Sequence, residues 1–202
     1  MSQPLPNSPS AQAAVPTSSH REYSASERAL LLSIAHRSIE AATEGRRFDP
    51  ESPGDHLAEL RGVFTTLYHR GRLRGCVGYI QAIAPLYRAV AETARSAAFA
   101  DSRFEPVSHE ELDGLELSLS VLSPPQPIDP AQIEIGRHGL LISQHGYRGL
   151  LLPQVAAEHG WDRETFLDET CHKAGLPPDA WRRGARIEAF TAEVFSDGDT
   201  PE

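Results

Sequence analysis

Between residues 24 and 195 the apolar positions recur with two different periods, and the period switches where turn-forming residues stand. Ser24-Ala-Ser-Glu27 has the form of a capping box. Leu30, Leu31, Ile34 and Ile39 follow at helical spacing until Gly45, which predicts a first helix over 27–43. Val63 to Tyr68 and Leu73 to Tyr79 flank the short polar His69-Arg-Gly-Arg72, as a β-hairpin would. Pro85 suits a first helical turn, and alanine-rich Leu86 to Phe99 predicts a second helix.

Strict alternation follows at Leu115 to Leu122, with Leu115, Leu117, Leu119 and Val121 on one face and Glu116, Ser118 and Ser120 on the other. After the proline-rich Ser123 to Pro130, a second hairpin is expected from Gly139–Ser143 and Tyr147–Leu152 around His145-Gly146. Two helices fit 153–159 and 163–174, with Asp162 as N-cap and Gly175 as terminator. One last strand is read over Ala185 to Phe195. Hairpins mixed with helices, without a steady βαβ rhythm, predict an α+β domain with a mainly antiparallel sheet and flanking helices.

Outside that span the pattern stops. Residues 1–23, rich in Ser, Pro, Ala and Gln, are expected to form a disordered tail, and acidic 196–202 to fray. The 40% apolar content supports one packed folding unit over 24–195. No run approaches the ~18 apolar residues of a membrane span, and no charged-then-apolar segment opens the chain, so a soluble cytoplasmic protein is expected. Two cysteines, Cys76 and Cys171, without a CxxC pair, make a disulfide scaffold a poor fit. No metal-ligand spacing, P-loop, GxGxxG or GxSxG occurs. With 19 basic against 28 acidic residues and a net charge of −9, phosphate-driven nucleic-acid binding is disfavoured.

Charge reverses locally. Arg61 to Ala91 holds five arginines (Arg61, Arg70, Arg72, Arg74, Arg88) and no acid, whereas Ala100 to Glu134 holds eight acids against Arg103. Cys76 lies in the positive stretch between Gly75 and Gly78, where backbone can approach closely. Alternation puts Arg74, Cys76 and Gly78 on one strand face, and a neighbouring cation favours the reactive thiolate. Cys76 is therefore the candidate nucleophile, set against the plainer reading of a small buried apolar residue. A base must come from elsewhere in the chain, and His138, entering the second hairpin beside Arg137, is the candidate. His145 and His159 read as turn residues beside Gly146 and Gly160. Cys171 shares a helical stripe with Leu167 and Ala174 and reads as core. Arg74, Gly75, Gly78, Arg148, Gln154 and Lys173 are candidates for binding a small anionic substrate group.

Leu73-Arg-Gly-Cys-Val-Gly78, Ser96-Ala-Ala-Phe-Ala-Asp-Ser-Arg-Phe104, His138-Gly-Leu140, Arg148-Gly149 with Leu152-Pro-Gln-Val155, and Cys171-His-Lys-Ala-Gly-Leu176 together resemble the AMMECR domain family. The order of the blocks matches too. Bacterial and archaeal members are often called AmmeMemoRadiSam system protein A. Val77 stands where Ile is common in the family, and Tyr79 where Thr is usual. The resemblance implies two lobes around one antiparallel sheet system, the larger built from both chain ends and the smaller inserted. It also implies a shared pathway with a Memo-like protein and a radical SAM protein. No catalytic residue is carried over by it. Two functions stand side by side: an enzyme component centred on Cys76 and lined by arginines, or a non-catalytic module presenting the signature hairpin to a partner.

Overall fold

The computed structural model describes residues 22–199. Ser24 caps helix α1 (Ala25–Thr43): its hydroxyl accepts the Glu27 N–H at 3.3 Å, and the Glu27 carboxylate accepts the Ser24 N–H at 2.8 Å. The Ser24 N–H and the Ser24 hydroxyl, which also donates to that carboxylate at 2.7 Å, with His56 beside them, hold the Glu27 carboxyl at about 2. Leu31, Ile34, Ala35 and Ile39 line the buried stripe of α1. Strands β1 (Gly62–His69) and β2 (Arg72–Tyr79) pair across a two-residue turn, Arg70-Gly71, with φ of 52° and 71°. Positive φ at both positions matches the twist of the flanking strands.

Helix α2 (Leu86–Phe99) packs on β1 and β2, and β3 (Leu115–Leu122) pairs with β1 in the register that buries Leu117 and Leu119 opposite Leu67 and Thr65. With β8 (Ala192–Ser196) these strands form an antiparallel sheet ordered β2-β1-β3-β8. Its inner face and α1 and α2 enclose the larger core, which includes Val63, Val90 and Phe195. The inserted lobe is a second antiparallel sheet, ordered β4-β7-β5-β6. It comprises β4 (Gln126–Pro127), β5 (Gly139–Gln144), β6 (Tyr147–Leu151) and β7 (Arg186–Phe190). Helices α3 (Pro153–His159) and α4 (Arg163–Lys173) cover one face of it over Leu140, Ile142, Phe166 and Leu167. Each such fully buried large side chain contributes roughly 1.5–3 kcal/mol.

Two expectations change here. The last strand is not one element but two, because the chain leaves the second sheet at Phe190 and joins the first at Ala192. Thr191 is the pivot: its N–H donates to Ser123 Oγ and its carbonyl accepts the Ser123 N–H, both at 2.9 Å. The alternation changes phase beside the pivot, at the adjacent apolar pair Ala189-Phe190, a slip that a single irregular strand would also show. Accordingly there are two sheets and not one system.

The ends also differ from expectation. Tyr23 is 1% exposed and stacks on His56 at 5.0 Å, and the Glu22 and Tyr23 amides donate to Glu193 Oε2. Asp197 accepts the Leu117 N–H at 2.7 Å and bonds His36 at 2.9 Å, so the chain stays anchored past Ser196. The remaining parts of the expected tails, 1–21 and 200–202, lie outside the described residues.

Candidate functional site

Cys76 sits on the edge strand of the first sheet, half-buried, on the face turned away from α1 and α2. Thr66, opposite it on β1, donates its hydroxyl to Cys76 Sγ at 3.4 Å. The free backbone edge at Cys76 is closed by one loop: its N–H donates to Asp101 Oδ2 at 2.9 Å, and its carbonyl accepts Arg103 Nη2 at 3.5 Å. Arg103 first, and the Cys76 amide second, hold the Asp101 carboxyl well below the usual carboxylate range, although its side chain is only 7% exposed. The LRGCVG and AAFADSRF blocks of the sequence are thus two sides of one contact.

Arg74 is elsewhere. Tyr68 faces Leu73 and Leu67 faces Gly75, which leaves Arg74 as the extra residue of a β-bulge. The alternation that put it beside Cys76 is broken there. Its guanidinium binds both Glu111 oxygens, at 2.7 and 3.0 Å, and the carbonyls of Glu105 and Pro106. Arg74 in turn holds the Glu111 carboxyl at about 2. The acid-free stretch is partly neutralised in space: Arg61 pairs with Glu22 and Glu59, Arg74 with Glu111, and Arg88 reaches Asp49 at 4.0 Å, while Arg70 and Arg72 make no ion pair among the described residues.

The other candidates are placed as follows. Gly75 lies under α2, where a Cβ would meet the Ala97 carbonyl oxygen at 2.1 Å, and Gly78 lies under the Phe64 ring. Both glycines serve packing. His138 belongs to the inserted lobe, its Nδ1 accepting the Glu134 N–H at 3.0 Å, with its pKa lowered by burial and then by Arg137. No hydrogen bond connects it with Cys76 among the described residues: His138 bonds the Glu134 amide and Cys76 bonds Thr66. Gln154 and Lys173 stand exposed on α3 and α4. Cys171 is fully buried, and burial pushes its thiol up.

Arg148 is the candidate that opens onto space. It is exposed on β6 and joins two adjoining clefts, one of about 600 Å³ over Ser143, Arg186 and Glu188, the other of about 300 Å³. The smaller cleft lies between the lobes, walled by the start of β1, the loop after β2 and the end of β3. Its rim carries large apolar side chains in the open, with Leu60 55% and Ile83 64% exposed and Ile80 beside them. Arg186 is paired with Glu188, whereas Arg148 makes no hydrogen bond or ion pair among the described residues. Sequence reasoning missed this rim. Its signal was two isoleucines in a loop outside any periodic element, where large apolar groups have no core to enter.

Among the described residues no three His, Cys, Asp or Glu side chains gather as metal ligands, and no helix is long and apolar enough to cross a membrane.

An antiparallel helix-covered sheet with a second such lobe inserted before its last strand, and a cleft between the two, defines a particular class of α+β protein. The chain belongs to the AMMECR1 family, which it matches over residues 32–195. It is 45% identical over 175 residues to a protein of Methanothermobacter thermautotrophicus, covering 82% of this chain and 91% of that one. It is 44% identical to Protein TK0174 of Thermococcus kodakarensis, covering 83% and 88%. The crystal structure of the uncharacterized protein PH0010 from Pyrococcus horikoshii superposes with a TM-score of 0.68 at 43% identity, covering 82% of this chain and 89% of that one.

Proposed function

We propose that the protein is a binding module that takes a carboxylate-bearing, partly apolar segment of a partner protein into the interlobe groove at Arg148. The observation that carries this reading is an exposed guanidinium that makes no ion pair among the described residues, set where a polar cleft, its one carboxylate Glu188 already paired with Arg186, meets an apolar one. Arginine presents a planar fork that a carboxylate fits with two bonds, and arginines flanked by apolar surface are frequent hot spots of protein interfaces. Leu60, Ile80 and Ile83 supply that apolar surface.

The Cys76-centred enzyme reading draws less support. Its nearest cation in sequence is committed to Glu111, and its nearest ion pair, Arg103 with Asp101, serves the backbone of β2. Memo-like and radical SAM proteins are the partners of first choice for the module.

Selection of a random twelve-residue peptide display library on the immobilised protein tests the proposal. The expected result is enrichment of peptides combining Asp or Glu with apolar residues, whose binding falls at least about tenfold in Arg148→Glu and is unchanged in Cys76→Ser, tenfold being the scale of one lost charge-assisted contact. An unchanged melting temperature controls for folding of Arg148→Glu. No enrichment, or peptides indifferent to Arg148→Glu, overturns the proposal.

A further inference from the structure

We infer that the free edge of β6 is a strand-addition site, at which the partner segment pairs as a fifth strand of the inserted sheet. β6 is a terminal strand in the order β4-β7-β5-β6. The His145-Gly146 loop has φ of 51° and 86°, the two-residue form in which the flanking pair, Gln144 and Tyr147, closes with hydrogen bonds. Alternation then directs the backbone of Tyr147, Gly149 and Leu151 toward β5 and that of Arg148 and Leu150 outward. Outside the β5 pairing, no hydrogen bond engages the Arg148 or Leu150 backbone among the described residues.

The other edges are managed. At β2 Asp101 and Arg103 occupy the corresponding outward groups of Cys76. β4 is two residues long and ends in Pro127, which has no N–H to offer. At β8 the Glu193 side chain holds the chain's own entry, accepting the Glu22 and Tyr23 amides, and the Ser196 N–H donates to Asp199. β6 has no such device, and an unpaired edge beside a cleft is the geometry of β-augmentation: main-chain bonds supply affinity and alternate side chains supply selection.

Charge decides the occupant. A residue paired beside Arg148 projects its side chain on the same face, so an acidic residue there meets the unpaired guanidinium. Residues 1–21 of this chain contain no Asp or Glu and do not match. A second copy docked edge to edge brings two Arg148 side chains onto neighbouring strands, which is repulsive. A partner segment of alternating character, with an acid at the Arg148 position, fits.

The identity of the occupant rests on the groove reading above; the openness of the edge does not. Amide hydrogen exchange of the free protein, followed residue by residue by NMR, is expected to find Arg148 and Leu150 exchanging at least about 100-fold faster than Gly149 and Leu151. Addition of a peptide from the display selection is expected to slow both to the rate of Gly149. N-methylation of the peptide amides that face β6 is expected to weaken binding at least about tenfold, and methylation of the alternate amides to leave it unchanged. Slow exchange of Arg148 and Leu150 in the free protein overturns the inference. A peptide that binds through Arg148 without protecting those amides overturns strand addition and leaves the groove reading standing. An open edge for which no Arg148-dependent peptide can be selected overturns both.

Discussion

Gly75 illustrates how a residue recognised from the sequence finds a physical reason in the fold. The sequence marks it as a place where backbone comes close, and backbone does come close, in the last turn of α2. A methyl group there is forced to within 2.1 Å of the Ala97 oxygen, so Gly75→Ala should cost about 2–3 kcal/mol in urea unfolding, the overpacking range. A cost below about 0.5 kcal/mol would mean that α2 moves aside freely. Arg74 is the harder case, since its bulge and its partners, Glu105, Pro106 and Glu111, leave no trace in local periodicity. That pair carries a pH signature. Glu111 titrates at about 2 in the fold against an ordinary 4.5, so the folded state binds this proton less readily than the unfolded chain. Its contribution is complete above about pH 4.5 and disappears as pH falls toward 2. Glu111→Gln should therefore melt well below the parent near pH 6, with the gap closing toward about pH 3. A gap independent of pH would show that the pair contributes by packing alone.

At the level of elements, the sequence pattern identifies α1, α2, both hairpins and β3 within a residue or two, because each declares itself by its own period and caps. Pairing between remote segments carries no such mark. Asp101, 25 residues beyond Cys76, is an ordinary acid in the sequence and the lid of a strand edge in the fold. Asp101→Ala frees the Cys76 amide and leaves Arg103 without its carboxylate, and should lower stability by about 2 kcal/mol, the scale of a charge-assisted hydrogen bond. The distinguishing readout is exchange of the Cys76 amide, which should accelerate far more than that of its inward-bonded neighbours. Equal acceleration along β2 would point instead to loss of the whole strand.

On the scale of the whole molecule, the net charge of −9 and the arginine-rich stretch are partly reconciled by folding, which brings acids from before and after the stretch onto Arg61, Arg74 and Arg88. The lobes are joined through Thr191, and this predicts cooperative unfolding. Both tryptophans, Trp161 and Trp181, belong to the inserted lobe, so their fluorescence reports on it alone, while the far-ultraviolet signal is weighted toward α1 and α2. The two transitions should coincide in urea. Separate midpoints would show that the Thr191 crossover transmits little between the sheets.

That crossover also sets an order of events during synthesis. An inner strand of the inserted sheet, β7, and the one that finishes the larger sheet, β8, are the last two described strands to be translated, back to back. A nascent chain that has emerged only as far as Gly184 lacks β7 and β8 and so holds two unfinished sheets, with β3 and β5 both waiting for a neighbour. Neither half can reach its final form ahead of the other, and a nascent chain halted before β7 would display two sticky strands at once.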